Sequence, residues 1–271
     1  MDTIDGGEAE SVYLMADVHA EFDALAEVGG RGLPIMVLGD LINLIDYRTV
    51  EGIIPRVMGR EFGSLMADAR GRSDFSEMRR LWSEHTAANR TEVGAAMEEE
   101  VLEEYRQCGK ALEGSSGWVT FGNVDRPRLL ADSLPAGVHF VHGQVVELSG
   151  VRFGFVGGGT ETPMQGRGEV THDDMVKTLD GLGEVDVLCS HVPPAIPALY
   201  HDVVTGRPAR HSQPILEYLS DLQPRWSFYG DIHQPRATRW RHGETQCQNV
   251  GYFRATKRPL HLDLGTLELI P

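Results

Sequence analysis

Five short apolar runs in this chain each stop at a polar motif, and that pattern constrains the fold more than any other feature. The runs are 11–16, 34–38, 118–121, 185–190 and 226–229. They are short, apolar and partly β-branched or aromatic, which predicts strands. The motifs that follow are Asp17-Val18-His19, Gly39-Asp40, Gly122-Asn123-Val124-Asp125, Ser190-His191 and Gly230-Asp231-Ile232-His233. Helices fit between the strands, for example at 21–28 and 213–222. Later segments read as consecutive strands. Residues 138–148 and 151–156 flank the two-residue turn Ser149-Gly150. Residues 261–264 and 267–270 flank Gly265-Thr266. Strands alternating with helices, then a run of strands, predict an α/β fold of two packed sheets with helices outside.

Residues 50–114 follow a different rule. Asp74 with Glu77 looks like a helix-starting pair, and 77–88 can form one helix. Val93, Met97, Val101, Tyr105, Cys108 and Leu112 recur at spacings of four and three, the signature of one helix face. The opposite face is expected to carry Glu98, Glu99, Glu103 and Glu104. The stretch reads as a helical-hairpin insertion in a single domain of 271 residues. Three roles are open to it: a packed decoration, a cap over the site, or a contact in a homo-oligomer. Residues 191–214, rich in proline and polar residues, are expected to be a long loop near the site.

The motifs offer Asp, His, Asp, Asn, His, Asp and His, a donor set suited to two adjacent divalent ions. In an extended chain residues i and i+2 point the same way, so Asp17 with His19, and Asp231 with His233, are each expected to face one ion together. Asp40 after Gly39 is suited to bridge ions about 3.5–4 Å apart. Mixed oxygen and nitrogen donors without thiolate favour Mn²⁺, Fe or Zn²⁺ over Ca²⁺ or Cu(I). Taken singly, each residue has an ordinary reading, because Asp and Asn are common turn residues after strands. Five coincidences in order are harder to dismiss.

Charge and cysteine usage narrow the partners. The formal net charge is −15, which disfavours long nucleic acids and anionic membranes. No apolar run approaches the roughly 20 residues of a membrane span. Residues 1–10 lack the pattern of a signal peptide and read as a loose tail. Cys108, Cys189 and Cys247 are too few and too scattered for a disulfide framework or thiolate zinc site. A cytoplasmic setting is the expectation.

In these motifs the chain resembles the calcineurin-like metallophosphoesterase family, especially its small bacterial phosphodiesterase-like branches. The family pattern is D-x-H, G-D-x-x-D, G-N-H-D/E, H and G-H-x-H. It extends from residue 11 to about 252, with the insertion between the second and third motifs. Ser190-His191-Val192-Pro193-Pro194 and Asn249-Val250-Gly251 add to the likeness. The resemblance implies a four-layer α-β-β-α sandwich with the site at the strand ends. It implies one ion on Asp17, His19, Asp40 and His233, and another on Asp40, Asn123, His191 and Asp231. The chain departs from the pattern at three positions. Asn43 replaces a supporting Asp. Val124 replaces a His that assists the leaving group in many members. Asp231 replaces a His ligand, which shifts preference toward harder ions such as Mn²⁺ or Mg²⁺.

The expected chemistry is in-line attack on phosphorus by a hydroxide held between the ions, on a small phosphorylated substrate such as a nucleotide. Without a histidine at 124, the leaving group must depart unaided or be protonated elsewhere. A phosphate or nucleotide leaving group needs little help. His201 and His211 are the leading substitutes and His142 a third, each with an alternative as a plain surface or structural histidine. Arg126 is a candidate clamp for a phosphate oxygen, beside Asn123. Gly157-Gly158-Gly159-Thr160 lacks the Lys and helix start of a P-loop. Its glycines are expected to bring backbone close to the metal centre or simply to turn. Two other readings compete: a protein phosphatase, and a metal-binding scaffold of this fold that has lost turnover and binds a protein partner.

Overall fold

All five apolar runs become interior strands of two sheets in the computed structural model, which describes residues 3–271. The six-stranded sheet runs in the order Glu268–Ile270, Leu260–Asp263, Ser11–Met15, Ile35–Leu38, Gly117–Thr120, Val138–Phe140. The seven-stranded sheet runs Ile4–Asp5, Gln144–Leu148, Val151–Val156, Val187–Ser190, Trp226–Tyr229, Thr245–Asn249, Arg239–His242. Ser11–Met15, Ile35–Leu38, Gly117–Thr120 and Val138–Phe140 are mutually parallel, as are Val151–Val156, Val187–Ser190, Trp226–Tyr229 and Thr245–Asn249. Parallel pairing puts the C-terminal ends of neighbouring strands on one edge, so each sheet delivers its polar motifs together. Every residue of Ile35–Leu38, Gly117–Thr120, Val187–Ser190 and Trp226–Tyr229 is buried. Strands covered on both faces need such continuous runs.

Three cores define the layers. Val12, Leu14, Met36 and Leu38 of one sheet meet Phe153, Phe155, Val187 and Phe228 of the other. Met15, Ile35, Val37 and Val119 face the opposite way, onto Phe22–Gly29 and the 50–114 helices. Val156, Leu188 and Tyr229 pack against His172–Leu182 and Gln213–Leu222. The result is an α/β fold with helices outside two stacked sheets. Among the described residues no helix is long and apolar enough to cross a membrane, and all three cysteines are free and buried.

Several sequence expectations need correction. The loose tail is partly a strand: Ile4–Asp5 pairs in parallel with Gln144–Leu148, and Gly6 N–H donates to Glu147 O at 2.8 Å. Residues 1 and 2 of that tail lie outside the described residues. The single run 138–148 is two strands in different sheets, separated at Val141–Gly143, where Gly143 has φ 63°. The Ser149-Gly150 hairpin stands, with φ of 51° and 76° that match a type I′ turn.

The insertion holds four helices, Ile53–Met58, Arg60–Gly71, Phe75–Thr86 and Arg90–Ala111, where the sequence suggested a hairpin of two. The first spans six residues and is separated from the second by Gly59, which blurred their periodicity. Asp74 does cap its helix, its carboxylate accepting from Glu77 N–H at 3.0 Å. The predicted stripe from Val93 to Leu112 is buried. Glu104 is buried as well, against the expected solvent face: its carboxylate accepts from Asn43 N–H at 2.7 Å and meets Arg56 at 2.6 Å. A periodicity count cannot see a partner that arrives from 61 residues away.

Candidate metal centre

The polar motifs meet where the two sheets' strand ends converge. They reach it by a different local route from the one the spacing suggested. Asp17 and His19 are not in extended backbone, because their strand ends at Met15 and their φ values are 58° and 42°. Asp40 and Asp231 also have positive φ, 55° and 63°. All three carboxylates thus sit at a left-handed step just past a strand. Asp tolerates that step better than most residues, at a cost of about 1–2 kcal/mol. The turn lets two loops pair: Asp17 N–H donates to Gly39 O at 3.0 Å and His19 N–H to Asp40 O at 2.9 Å. A side chain on Gly122 would run into the carboxylate and backbone of Asp40, so only glycine fits there. A Cβ on Gly159 would strike Asn123, which identifies the Gly157–Gly159 run as a close approach of backbone to the site.

Hydrogen bonding fixes which atoms of each histidine face inward. His191 Nδ1 lies 2.8 Å from Leu38 O, and His19 Nδ1 lies 3.2 Å from Ile42 O. A carbonyl only accepts, so both Nδ1 atoms carry the proton and both Nε2 atoms point at the cluster. His191 Nε2 is 3.2 Å from Asn123 Oδ1, 3.5 Å from Asp40 Oδ1 and 3.8 Å from Asp231 Oδ1. His19 Nε2 is 3.7 Å from Asp40 Oδ2 and 4.0 Å from Asp17 Oδ1. His233 Nε2 is 3.7 Å from Asp17 Oδ1, and its ring stacks on Tyr252 at 3.8 Å. Donor atoms of Asp17, His19 and His233 lie within 4.8 Å of one another, as do those of Asp17, Asp40 and His191.

Such an arrangement is costly without a cation. Asp17, Asp40 and His191 are almost fully buried, and buried acceptors that face other acceptors lose hydration without gaining a partner. His19 Nε2 and Asp231 Oδ2 are buried with no hydrogen-bond partner. Burial opposes charge on His191, but Asp40, Asp231 and Asp17 outweigh it and hold its pKa above the ordinary histidine value. Burial is likewise outweighed at His233, chiefly by Asp17. At His19 burial wins and the pKa is lowered. Asp17 is pulled below the usual carboxylate range because its histidine neighbours, His233 first, overcome its burial. Burial raises Asp231 against the opposing pull of Arg210 and His191. The donor set, the orphaned buried atoms and the inward tautomers all fit divalent metal.

The supporting residues are as informative as the cluster. Val124 N–H donates to Asp40 Oδ1 at 3.0 Å. Asp125 accepts from Gly122 N–H at 2.8 Å and from Leu41 N–H at 3.1 Å, joining two of the loops. Tyr105 Oη donates to Asp125 at 3.2 Å and accepts from Arg126 N–H at 2.7 Å. Asn249 Nδ2 donates to Ile232 O at 3.0 Å, which holds the last motif in place. Arg254 Nη1 donates to His19 O at 3.0 Å.

Seven sequence candidates, Asp17, His19, Asp40, Asn123, His191, Asp231 and His233, come together in this cluster. Among the described residues, the others make no hydrogen bond or ion pair with it. His211 stacks on Tyr200 at 3.9 Å, and its Nδ1 donates to Ala209 O at 3.0 Å. His201 sits in a two-residue strand paired with Arg207–Pro208. His142 Nδ1 accepts from Gly157 N–H at 3.1 Å. Arg126 precedes Pro127–Ser133 without a capping bond from its side chain, and Arg167 and Glu98 are the charged groups that act on it. Sequence reasoning missed Arg210 and Glu169. Arg210 Nη1 is 3.6 Å from Asp231 Oδ1, and its Nη2 is 3.9 Å from Glu169 Oε1. Their only sequence signal was position: Arg210 lies in the long loop that follows His191, next to the histidine that drew attention instead.

No family model and no curated protein matches the chain.

Proposed function

We propose that the chain is a dinuclear metal-dependent phosphoester hydrolase of the calcineurin-like metallophosphoesterase type, its layers forming that family's four-layer sandwich. The observation that carries this reading is the position of Asp40. One of its oxygens faces His191 and the other faces His19, as a carboxylate shared by two ions requires. Asp17, His19, Asp40 and His233 would hold one ion, and Asp40, Asn123, His191 and Asp231 the other. Asp17 also lies within reach of the Asp40–His191 group.

When bound, two such ions supply an activated water and neutralise charge on the phosphoryl oxygens. The chain's own residues set the geometry for this. Leu38 O and Ile42 O fix the tautomers of His191 and His19, and Val124 N–H fixes the rotation of Asp40. Val124 offers the substrate no proton, so the leaving group must be one that departs as an anion. That favours a diester or anhydride of a small phosphorylated molecule over a simple alkyl monoester. Asp231 in place of an imidazole favours Mn²⁺ or Mg²⁺.

Hydrolysis of bis-p-nitrophenyl phosphate by chelator-stripped protein tests the reading, with Mn²⁺, Mg²⁺ and Zn²⁺ restored one at a time. Turnover is expected to return with Mn²⁺ and to vanish in Asp40→Asn. Two ions bound per chain with no turnover of any ester would sink it in favour of the metal-binding scaffold.

A further inference from the structure

Among the described residues, Arg210 stands at the cluster's rim with no side-chain hydrogen bond to a protein acceptor. Its guanidinium sits between two carboxylates but closes on neither, with Nη1 3.6 Å from Asp231 Oδ1 and Nη2 3.9 Å from Glu169 Oε1. Its Nε is buried and has no partner. Its side chain is 23% exposed. Both acids have reasons to stay where they are. Glu169 is fixed by Thr162, whose N–H at 2.8 Å and hydroxyl at 2.5 Å both donate to it. Asp231 is fixed through its own N–H, which donates to Asp17 at 3.0 Å.

The loop presents this guanidinium firmly. Ala209 N–H donates to Tyr200 O at 2.9 Å, and Ser212 N–H donates to Pro193 O at 2.9 Å. His211 adds its stack on Tyr200 and its bond to Ala209 O. The histidine singled out as a proton donor is thereby tied to Tyr200 and Ala209 and braces the arginine beside it.

We propose that Arg210 grips the leaving group of the substrate, and that this leaving group is itself a phosphate. The site then takes a phosphoanhydride, such as a nucleoside di- or triphosphate, in preference to an ester of an alcohol. This rests on the hydrolase reading above. A guanidinium carries a planar fork of donors that matches phosphate oxygens, and it does not give up a proton near neutral pH. It therefore stabilises an oxygen that departs as an anion and cannot assist one that must depart protonated. In the reaction one water is consumed. Its oxygen bonds to the attacked phosphorus, the bridging P–O bond breaks with its electron pair on the departing phosphate, and the released proton passes to solvent. Arg210 holds that departing phosphate, the task for which neither Val124 nor His211 is equipped.

The test uses the full chain with Mn²⁺ bound, and the variants Arg210→Met and Arg210→Lys. Binding of methylenediphosphonate, a diphosphate that cannot be hydrolysed at its bridge, is measured by calorimetry. Arg210→Met is expected to weaken it roughly 10- to 100-fold, the worth of one or two charge-assisted hydrogen bonds. Arg210→Lys should fall between, since it keeps the charge and loses the fork. Manganese stoichiometry should not change. With ATP as substrate, kcat/KM should fall by a similar factor in Arg210→Met, with a loss at least several-fold smaller on bis-p-nitrophenyl phosphate. Equal losses on the two substrates, or undiminished diphosphonate binding, overturn the proposal. So does loss of manganese from Arg210→Met, which would make Arg210 a support for Asp231. A native protein that hydrolyses neither compound yet needs Arg210 to bind diphosphonate would end the hydrolase reading and leave the anion site standing.

Discussion

At the scale of single residues, the cluster is a competition between protons and metal for the same lone pairs. In the metal-free chain the neighbouring carboxylates hold His191 and His233 above the ordinary histidine pKa of about 6.5, against the opposing effect of burial. Both therefore hold protons to higher pH than a free imidazole does, and a metal must displace those protons from Nε2. A raised pKa means that the protonated form is favoured as pH falls, so metal affinity must fall as pH falls through those values and below. Mn²⁺ uptake at pH 7 is accordingly expected to release protons. Calorimetry in two buffers of different ionisation enthalpy reads that release directly. An apparent enthalpy that is the same in both buffers would mean that these imidazoles are already neutral. The identity of the donors was legible in the sequence because each follows a strand and each is of a ligating type. Their backbone conformation was not. Asp17 and His19 at i and i+2 suggested an extended edge, whereas φ of 58° and 42° place them in a turn. The same residues face the site in either case, so side-chain identity survived an error about the chain that carries it.

At the scale of elements, the helix Arg90–Ala111 belongs to the site more than its place in an insertion suggests. Its Glu104 accepts from Asn43 N–H, and its Tyr105 donates to Asp125, which in turn caps the loops of Asp40 and Asn123. Asn43 stands where the resemblance implied a supporting Asp, and Glu104 brings a carboxylate to that loop from the insertion. A decoration would tolerate loss of these groups; a brace would not. Tyr105→Phe leaves the ring in place but removes one donor to Asp125 and the acceptor of Arg126 N–H. It is expected to cost about 1–3 kcal/mol in urea unfolding, the usual penalty of stranding a buried polar group, and to weaken Mn²⁺ binding by moving the two loops. A stability loss with unaltered metal affinity would confine the helix to packing. The stripe from Val93 to Leu112 was readable because periodicity is local. Glu104 escaped because its partner Asn43 lies 61 residues away, and Arg210 because the carboxylates it approaches, Asp231 and Glu169, belong to other segments. A one-dimensional pattern has no term for that.

At the scale of the whole molecule, the chain carries a formal charge of −15 and still draws three carboxylates into one buried site. The side chains of Asp17, Asp40 and Asp231 are 1%, 4% and 7% exposed. Two sheets whose parallel strands end on one edge leave little choice, because every central strand delivers its motif to the same place. Where His191, His233 and Arg210 do not balance them, these carboxylates repel one another, and bound divalent ions would remove that repulsion. Ions that bind only the folded state stabilise it by mass action, by about 2.7 kcal/mol per site at a hundred times Kd. For a chain of this size each kcal/mol shifts Tm by about 2–4 °C. Mn²⁺ in excess should therefore raise Tm by at least about 5 °C, and a chelator should reverse the gain. Asp40→Asn separates this account from ordinary packing. Replacing an ordinary buried residue lowers stability with or without metal. Replacing Asp40 removes one of three neighbouring carboxylates but also the first of the charges that sustain protonated His191, so the metal-free variant is expected to melt close to the metal-free native chain while losing most of its manganese-dependent gain. A metal-free variant several degrees less stable would show that Asp40 is held by Val124 and the pairing of its loop as a structural residue, and that the carboxylate cluster stores no repulsion for metal to relieve.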